Sequence, residues 1–230
     1  MKILLKISGE AFKWDKDFWI CVESAKKIAL MIKELHEKKQ KIVILIWWWN
    51  IHRWWNLIKF WINPTDSHNL GMLSTVFNSV VLKNVLEEVG IKSVVIDPIG
   101  IKFLEKYNKD IAIKYLNKWN VVICTWWSWN PYFTVDTWWV LRAIELWCDF
   151  MIKATKVDWV YSNDPITNPN AIFFDTISYD ECISKWLKII DTTALVLAKE
   201  NNLKIKVVSF YKKWAILNAV LWKKEWSIIC

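Results

Sequence analysis

Glycine is the residue that this chain most conspicuously lacks. Only 4 of its 230 residues are Gly and 20 are Trp, whereas Gly normally supplies about 7% of residues and Trp is among the rarest. No Pro-, Gly- or Ser-rich linker divides the chain, and no internal repeat occurs. Because 54% of the residues are hydrophobic and 23% are charged, the sequence predicts one domain over residues 1–230 with a large core.

Other missing features exclude whole classes of protein. The five cysteines are widely spaced and form no CxxC pair, which argues against a disulfide framework or a zinc site. No apolar run reaches the 18 residues of a membrane span, and the apolar N-terminus is interrupted by Lys6, too early for a secretion signal. We therefore expect a cytoplasmic protein without a membrane partner.

The formal net charge of +8 has two interpretations. It could attract an anionic partner, such as nucleic acid, a membrane or a nucleotide phosphate. The lysines are scattered through stretches such as residues 24–40 and form no basic block, a pattern that is typical of ordinary solvation. A nucleic-acid-binding function is therefore the weakest of the alternatives.

Short apolar runs rich in β-branched residues alternate with longer stretches of helical periodicity. The runs are residues 3–7, 42–46, 93–96, 121–124, 150–152 and 205–208. Apolar residues follow the i, i+3, i+4, i+7 spacing of an amphipathic helix in residues 28–35 and again in residues 73–80. This alternation predicts an α/β protein with a mostly parallel sheet covered on both faces.

The tryptophans cluster where glycine is expected. They occur at residues 47–49, 54–55, 126–127, 129 and 138–139, after predicted strands or before predicted helices, and singly at Trp119 and Trp147. Glycine suits such turns and helix ends because it adopts positive φ without a steric penalty and exposes backbone N–H groups. Our hypothesis is that a reassigned stop codon, read as Gly by the source organism, was translated as Trp. The alternative is a genuine Trp-rich surface that stacks bases.

Six motifs follow one another along almost the whole chain: LLKISGEAF, WWWNIHRWW, LGMLSTVFN, WSWNPYFTVDT, KATKVDWVYSNDP and KIIDTTA. In order and spacing they resemble the motifs of bacterial uridylate kinases, which are members of the amino-acid-kinase family. The resemblance implies a single amino-acid-kinase domain over residues 1–230, a three-layer αβα sandwich with a mostly parallel central sheet. It also implies transfer of the γ-phosphoryl group of ATP to UMP, a step of pyrimidine nucleotide biosynthesis.

The resemblance implies an ATP site at the ends of several strands. Its residues are Lys6, Ile7, Ser8, Gly9, Trp49, Arg53, Thr155, Tyr161 and Asp164. Lys6 ends a predicted strand at the sheet edge where α/β proteins bind ligands. Arg53 offers a fork of donors suited to phosphate oxygens. For Asp164 and Asp158, simple turn chemistry is the alternative.

The implied UMP site lies mainly in one loop. Its residues are Trp48, His68, Ser128, Trp129, Asn130, Pro131, Tyr132, Phe133, Thr134 and Val135. Asn130 and Thr134 can supply hydrogen bonds, and Tyr132 or Phe133 an apolar wall. His68 stands where the family usually has Asp, and Asp66 could contact the ribose instead.

The predicted mechanism is electrostatic. The second pKa of a phosphate monoester is about 6, so the attacking phosphate of UMP is ionised at neutral pH and needs no general base. Lys6, Arg53, Lys153 and Asp136 are the predicted catalytic residues, with Mg²⁺ held mainly through the nucleotide phosphates and no metal ligands from the protein. Asp136 could equally be a helix N-cap, and Asp191 is a candidate cap of a later helix.

Two other functions stay open. The chain could be a kinase for a small acid, such as carbamate, aspartate or acetylglutamate, on the same fold. It could also be a catalytically inactive uridylate-binding regulator in which the bulky residues at 47–49 fill the phosphate space. The family is typically homohexameric, activated by GTP and inhibited by UTP, and the resemblance extends these expectations to this chain.

Overall fold

The computed structural model describes residues 1–13, 20–47, 50–51, 61–125, 134–212, 214–223 and 226–230. The strands are β1 (Lys2–Ile7), β2 (Lys41–Ile46), β3 (Ser93–Asp97), β4 (Glu105–Lys106), β5 (Val121–Cys124), β6 (Phe150–Thr155), β7 (Val160–Tyr161), β8 (Phe173–Phe174), β9 (Thr176–Ile177), β10 (Ile205–Ser209) and β11 (Ser227–Ile229). Nine of them form one sheet in the order β4-β3-β5-β2-β1-β6-β10-β11-β9, and β7 pairs with β8 separately.

The large sheet is mostly parallel. Strand β1 lies at its centre between β2 and β6 and is parallel to both, and β10 is parallel to β6 on its other side. Within the described residues of this sheet, β10 and β11 form the antiparallel pair. All six strands predicted from apolar runs are present, and most extend one to three residues beyond the predicted bounds.

Helices cover both faces of the sheet. They are α1 (Glu10–Lys13), α2 (Val22–Glu37), α3 (Pro64–Glu88), α4 (Lys109–Asn117), α5 (Val135–Glu145), α6 (Tyr179–Ser184), α7 (Thr192–Glu200) and α8 (Ala215–Val220). Alternate residues of β1 point to opposite faces, so that Leu4 joins the core under α4, α5 and α7. Leu5 joins the core under α2, α3 and α8. The predicted three-layer α/β architecture is therefore confirmed.

The predicted apolar face of α3 needs a correction. The helix exists, but Leu73 and Phe77 are exposed. The buried face instead contains small and polar residues such as Gly71, Thr75 and Ser79, with Leu82 near its end. Periodicity counts hydrophobic side chains, whereas here close packing of small residues decides which side faces the sheet.

No helix in the described part of the chain is long and apolar enough to cross a membrane. The longest helix, α3, begins with Asn63 as its N-cap and Pro64 in its first turn, and the Asn63 side chain accepts a hydrogen bond from the Asp66 N–H. These are ordinary start signals of a helix. The backbone of Asp66 is thus held in the first turn of α3 by its hydrogen bond to Asn63.

Candidate functional site

A buried charge cluster lies at the carboxyl ends of β1 and β6. Lys6 and Lys153 are directly opposite each other in the parallel pairing of these strands, so their side chains emerge side by side. Asp136, from the first turn of α5, lies between them: its Oδ1 is 3.0 Å from Lys6 Nζ and its Oδ2 is 2.7 Å from Lys153 Nζ. Lys153 Nζ also donates a hydrogen bond to the Ile189 carbonyl. All three charged residues are buried.

Burial and mutual attraction set the ionisation of this cluster. Burial lowers the pKa of Lys6 to about 8, even though Asp136 acts in the opposite direction, and the positive charge of Lys153 adds to the lowering. Burial alone would raise the pKa of Asp136, but the two lysines outweigh it and hold that pKa below its usual value. The cluster therefore contains two cations against one carboxylate, which favours an anion next to it.

The structure corrects one of the two interpretations of Asp136. The N-cap of α5 is Thr134, whose Oγ1 accepts a hydrogen bond from the Asp136 N–H at 3.1 Å. Asp136 is two residues further into the helix, and its carboxylate is occupied by the two lysines. The helix N-terminus adds a favourable field for that negative charge. The N-cap interpretation of Asp136 is therefore wrong.

Asp191 is the N-cap of α7, as the sequence predicts, because its Oδ1 accepts a hydrogen bond from the Ala194 N–H at 2.9 Å. The same carboxylate accepts hydrogen bonds from the hydroxyls of Thr134 and Thr137, which link the start of α7 to the start of α5. These links span more than 50 residues, so local sequence did not reveal them. They position the helix that carries Asp136.

The charge cluster lines a cleft of about 770 Å³. Predicted site residues at its walls are Lys6, Ser8, Thr134, Asp136, Lys153, Thr155 and Asp164. The volume is within the range of small-molecule and cofactor sites. Sequence reasoning did not select Glu10 and Lys156, which line the same cleft and form an ion pair at 3.0 Å. Glu10 lies in the motif LLKISGEAF and Lys156 in KATKVDWVYSNDP. Their places in these motifs were the only sequence signal that could have identified them.

Aromatic rings enclose the ammonium group of Lys6. Its Nζ lies 4.7 Å from the ring centroid of Trp47 and 4.1 Å from that of Trp139. Trp47 follows β2 and lines the cleft. Its backbone N–H donates a hydrogen bond to the Ile7 carbonyl at 3.0 Å. Its carbonyl accepts a hydrogen bond from the side chain of Asn78, which also exchanges two amide hydrogen bonds with Asn50. The described part of the loop after β2 is thus anchored to α3.

Of the residues predicted for the nucleoside part of ATP, Thr155 and Asp164 line the cleft, whereas Tyr161 lines a second pocket that Asp164 also borders. Thr155 hydrogen-bonds the carbonyl of Val157. Asp164 accepts a hydrogen bond from the Ile166 N–H, which confirms the turn role that its sequence context predicted. Tyr161 donates its hydroxyl to Asp158 at 2.8 Å, and burial together with that contact raises the Tyr161 pKa to about 12. Asp158 is therefore a side-chain partner of Tyr161.

Other predicted residues have more limited access to the cleft. The side chains of Ile7 and Val135 are fully buried in the core, so a ligand could meet them only through the backbone. Gly9 begins the turn into α1 and accepts a hydrogen bond from the Phe12 N–H. His68 lies in the second turn of α3, and burial lowers its pKa; it is not among the described residues that line the cleft.

Many predicted contacts lie outside the described residues. They are Trp48, Trp49, Arg53, Ser128, Trp129, Asn130, Pro131, Tyr132 and Phe133. Among the residues that the structure does describe, no group of three or more His, Cys, Asp or Glu side chains could hold a metal ion. The described site is thus the strand-end charge cluster and the cleft beside it.

Known proteins resemble this chain in sequence and in fold. The model of the amino acid kinase family matches residues 54–209. The uridylate kinase of Rickettsia typhi is 38% identical over 229 residues, covering 99% of this chain and 94% of that protein. The uridylate kinase of Histophilus somni is 35% identical over 230 residues, covering 100% and 97%.

Two solved structures share the whole architecture. The UMP kinase from Ureaplasma parvum superposes with a TM-score of 0.93 at 28% identity, covering 100% of this chain and 98% of that one. The UMP kinase from Bacillus anthracis gives a TM-score of 0.95 at 26% identity, covering 99% and 95%. The chain therefore belongs to the amino acid kinase family, and within it to the uridylate kinases.

Proposed function

We propose that this chain transfers the γ-phosphoryl group of ATP to UMP, giving UDP and ADP. The observation that carries the mechanism is the buried Lys6–Asp136–Lys153 cluster at the wall of the cleft. The whole-chain similarity to uridylate kinases supports the choice of UMP over the small acids as acceptor.

The cluster can perform electrostatic catalysis. Two polyanions must be brought together, and the phosphoryl group in transfer is itself negatively charged, so fixed cations near it lower the barrier. Asp136 holds Lys6 and Lys153 in place. Because the pKa of Lys6 is about 8, its ammonium form predominates at neutral pH. No proton needs to be removed from the attacking phosphate, whose second pKa is about 6.

Mg²⁺ is the proposed cofactor. When bound, it would neutralise negative charge on the phosphate oxygens. We propose that the nucleotide phosphates supply most of its ligands, and that Lys6, Lys153 and Arg53 supply the remaining positive charge. The donor set fits this division, since the described cleft wall at the cluster carries two cations and a carboxylate that they already engage.

The two nucleotides are assigned to two different sets of residues. The proposed ATP contacts are Lys6, Ile7, Ser8, Gly9, Trp49, Arg53, Thr155, Tyr161 and Asp164. The proposed UMP contacts are Trp48, His68, the loop of residues 128–133, Thr134 and Val135, with Asp66 as the alternative to His68. Support for this division comes from the motif resemblance, and for Ser8, Thr134, Thr155 and Asp164 also from their places in the cleft wall.

We also propose one amino-acid-kinase domain over residues 1–230, assembly into a homohexamer, activation by GTP and inhibition by UTP. Exposed apolar side chains along α3, namely Leu70, Leu73 and Phe77, support assembly, because such a stripe is suited to burial against another copy. The family resemblance supports the regulation.

The test is steady-state turnover of wild type and Lys6→Ala, followed as ADP release with UMP. We expect kcat to fall by roughly 10²–10³-fold or more, the scale of removing one electrostatic donor from an active site, while UMP binding changes little. Lys2→Ala is the matched control, since Lys2 lies on the same strand at its other end. Wild-type turnover by Lys6→Ala would remove Lys6 from the mechanism.

The acceptor is tested in the same assay. Wild type should turn over ATP with UMP and remain inactive with carbamate, aspartate or acetylglutamate. Turnover with one of these acids and not with UMP would overturn the proposed acceptor. UMP binding without any turnover would instead favour the inactive regulator.

A further inference from the structure

Helices α2 to α8 all end with the same backbone arrangement. In each, the second residue after the helix has positive φ and donates its N–H to the carbonyl three residues earlier, and the next N–H donates to the carbonyl five residues earlier. This is the Schellman closure, which strongly favours Gly at the positive-φ position, sometimes Asn. The seven residues at that position are Lys39, Gly90, Trp119, Trp147, Trp186, Asn202 and Trp222.

Tryptophan is a costly residue for this conformation. A left-handed backbone costs an L-residue roughly 1–2 kcal/mol, because Cβ approaches the following carbonyl oxygen. For a bulky side chain positive φ is a genuine outlier. Gly90 and Asn202 are the residue types that the closure prefers, and Lys39 shows that another residue type can occupy this position as an exception. Trp at four of the seven positions exceeds what exceptions explain.

Lysine ammonium groups lie near the rings of Trp119, Trp147 and Trp222, but within the described residues no such contact is shared by all four positions. Trp186 is 80% exposed and lies at the wall of the cleft. Trp147 has the amino groups of Lys2 and Lys109 at 5.7 and 4.9 Å from its ring centroid, and exposed pairs of this kind contribute about 0.5–1 kcal/mol. Trp222 contacts Phe150 edge to face and has the amino group of Lys206 at 3.2 Å from its ring centroid. The contacts of these rings differ from site to site, whereas the backbone conformation is the same. The requirement that the four positions share is therefore the left-handed backbone, which favours Gly.

Two further tryptophans share the left-handed backbone outside these closures. Trp61 has a φ of 67° and Trp214 a φ of 68°. Trp61 is 98% exposed, and Trp214 precedes α8 without a side-chain capping bond. Six of the eight non-glycine residues with positive φ in the described part of the chain are therefore Trp, although few non-glycine residues of any type adopt positive φ.

We propose that these six tryptophans are glycine in the protein that the source organism makes, because one codon that it reads as Gly has been translated as Trp. The six positions are Trp61, Trp119, Trp147, Trp186, Trp214 and Trp222. The proposal is independent of the catalytic function, since it rests on the backbone dihedral angles of these residues and not on the charge cluster, although Trp186 also lines the cleft. If the codon is shared by all 20 tryptophans, it also replaces Trp47, which would enlarge the cleft beside Lys6.

Peptide mass spectrometry on the protein isolated from its source organism is the direct test. Each peptide that spans one of the six positions should be lighter by one Trp-to-Gly difference in residue mass. Trp at any of the four helix-end positions would overturn the proposal. The coding DNA gives an independent decision: all six positions should share one codon that is not the standard tryptophan codon, and the standard codon there would equally overturn it.

Recombinant variants test the physical argument separately. Trp119→Gly and Trp147→Gly should each raise the Tm of the chain as written by about 2–4 °C, the shift that roughly 1 kcal/mol produces in a protein of this size. Trp226→Gly is the matched control, because Trp226 does not have positive φ and donates its indole N–H to the Lys223 carbonyl; it should not raise Tm. An unchanged or lower Tm in both helix-end variants would contradict the assignment.

Discussion

The carboxyl ends of the central strands and the carboxyl ends of the helices both carry residues that are unfavourable where they lie. At the strand ends, Lys6 and Lys153 are buried charges, but Asp136 pairs with both and the cleft opens beside them. At the helix ends, tryptophans such as Trp119 and Trp147 adopt left-handed backbone and are exposed. The first cost has a proposed chemical use, whereas in the described structure no shared contact accounts for the second.

The difference teaches how to interpret local strain. A costly feature that converges with others on one cleft indicates function, since several elements must be placed to produce it. A costly feature repeated at separate positions with one backbone geometry indicates that the residue type and the geometry do not belong together. The following predictions test this distinction, beginning with the largest effect.

Asp136→Asn should almost abolish catalysis. Loss of the carboxylate leaves two buried ammonium groups without their shared counter-charge, so their positions and ionisation change together. We expect kcat for UDP formation to fall by about 10²–10³-fold. Asp97→Asn is the control, because Asp97 is also buried but accepts hydrogen bonds from Thr125 and two backbone N–H groups at another strand end. Equal losses of kcat in both variants would erase the distinction between the two kinds of buried carboxylate.

The pH dependence of kcat/KM should follow the ionisation of Lys6. Because its pKa in the ligand-free protein is about 8, the ammonium form is lost above that pH, and kcat/KM should then decrease by up to about tenfold per pH unit. The charged groups that act on Lys6 are Asp136, Lys153 and Asp191. A kcat/KM that stays level up to pH 10 would show that the charge on Lys6 is not used.

Stability should change in the opposite direction over the same range. Between the folded pKa of about 8 and the ordinary value of 10.5, the unfolded state binds more protons at Lys6 than the folded state does. The contribution of Lys6 to the free energy of unfolding therefore rises with pH in this window. The measurement is the difference in Tm between wild type and Lys6→Met across the window, and a decreasing difference would contradict the sign.

Asn78→Leu should give an intermediate effect, since Asn78 anchors the loop after β2 to α3 but carries no charge. The variant leaves the Trp47 carbonyl and the Asn50 amide without the Asn78 partner, which costs about 1–3 kcal/mol for buried groups. We expect a lower Tm and a raised KM for the nucleotides. Asn84→Leu, at an exposed position of the same helix, should change stability by less than about 0.5 kcal/mol. Equal effects would show that the anchor is unimportant.

The smallest effects are expected at helix ends that already carry suitable residues. Gly90→Ala should lower Tm by about 2–4 °C, because its φ is 83° and the added Cβ has no atom within 4 Å, so that the cost comes from the backbone alone. Asn202→Gly should raise Tm by a smaller amount, since Asn already tolerates this backbone. Thermal unfolding of both variants beside Trp119→Gly ranks the three residue types, and an Asn202 gain larger than the Trp119 gain would break the ranking.

The predicted α/β sandwich and family membership are confirmed, and the reason is local. Buried parallel strands are apolar runs, and the interval between them is long enough for a helix, so both are visible without tertiary information. The short strands β4, β7, β8, β9 and β11 were missed because two or three residues carry no detectable periodicity. Leu73 and Phe77 misled the assignment of the α3 face because small residues form the buried side.

The predicted site is confirmed only as to where some of its residues lie. Lys6, Asp136 and Lys153 do converge, but their catalytic roles stay predictions. Sequence pattern left the choice between cap and catalytic residue open for Asp136. In the structure the nearby Thr134 is the cap, and the Asp136 carboxylate pairs with a lysine 130 positions away. Asp191 shows the reverse: its cap role was visible locally, and its two links to α5 were not.

The shortage of glycine in this chain shows the same division between what the sequence determines and what the tertiary structure decides. Composition and order by themselves determined the alternating architecture, the motifs and the positions where a turn requires glycine, because these depend on neighbouring residues. Tertiary structure decided which strand ends meet and which carboxylate holds the two lysines. Those properties depend on contacts between parts of the chain that are distant in sequence.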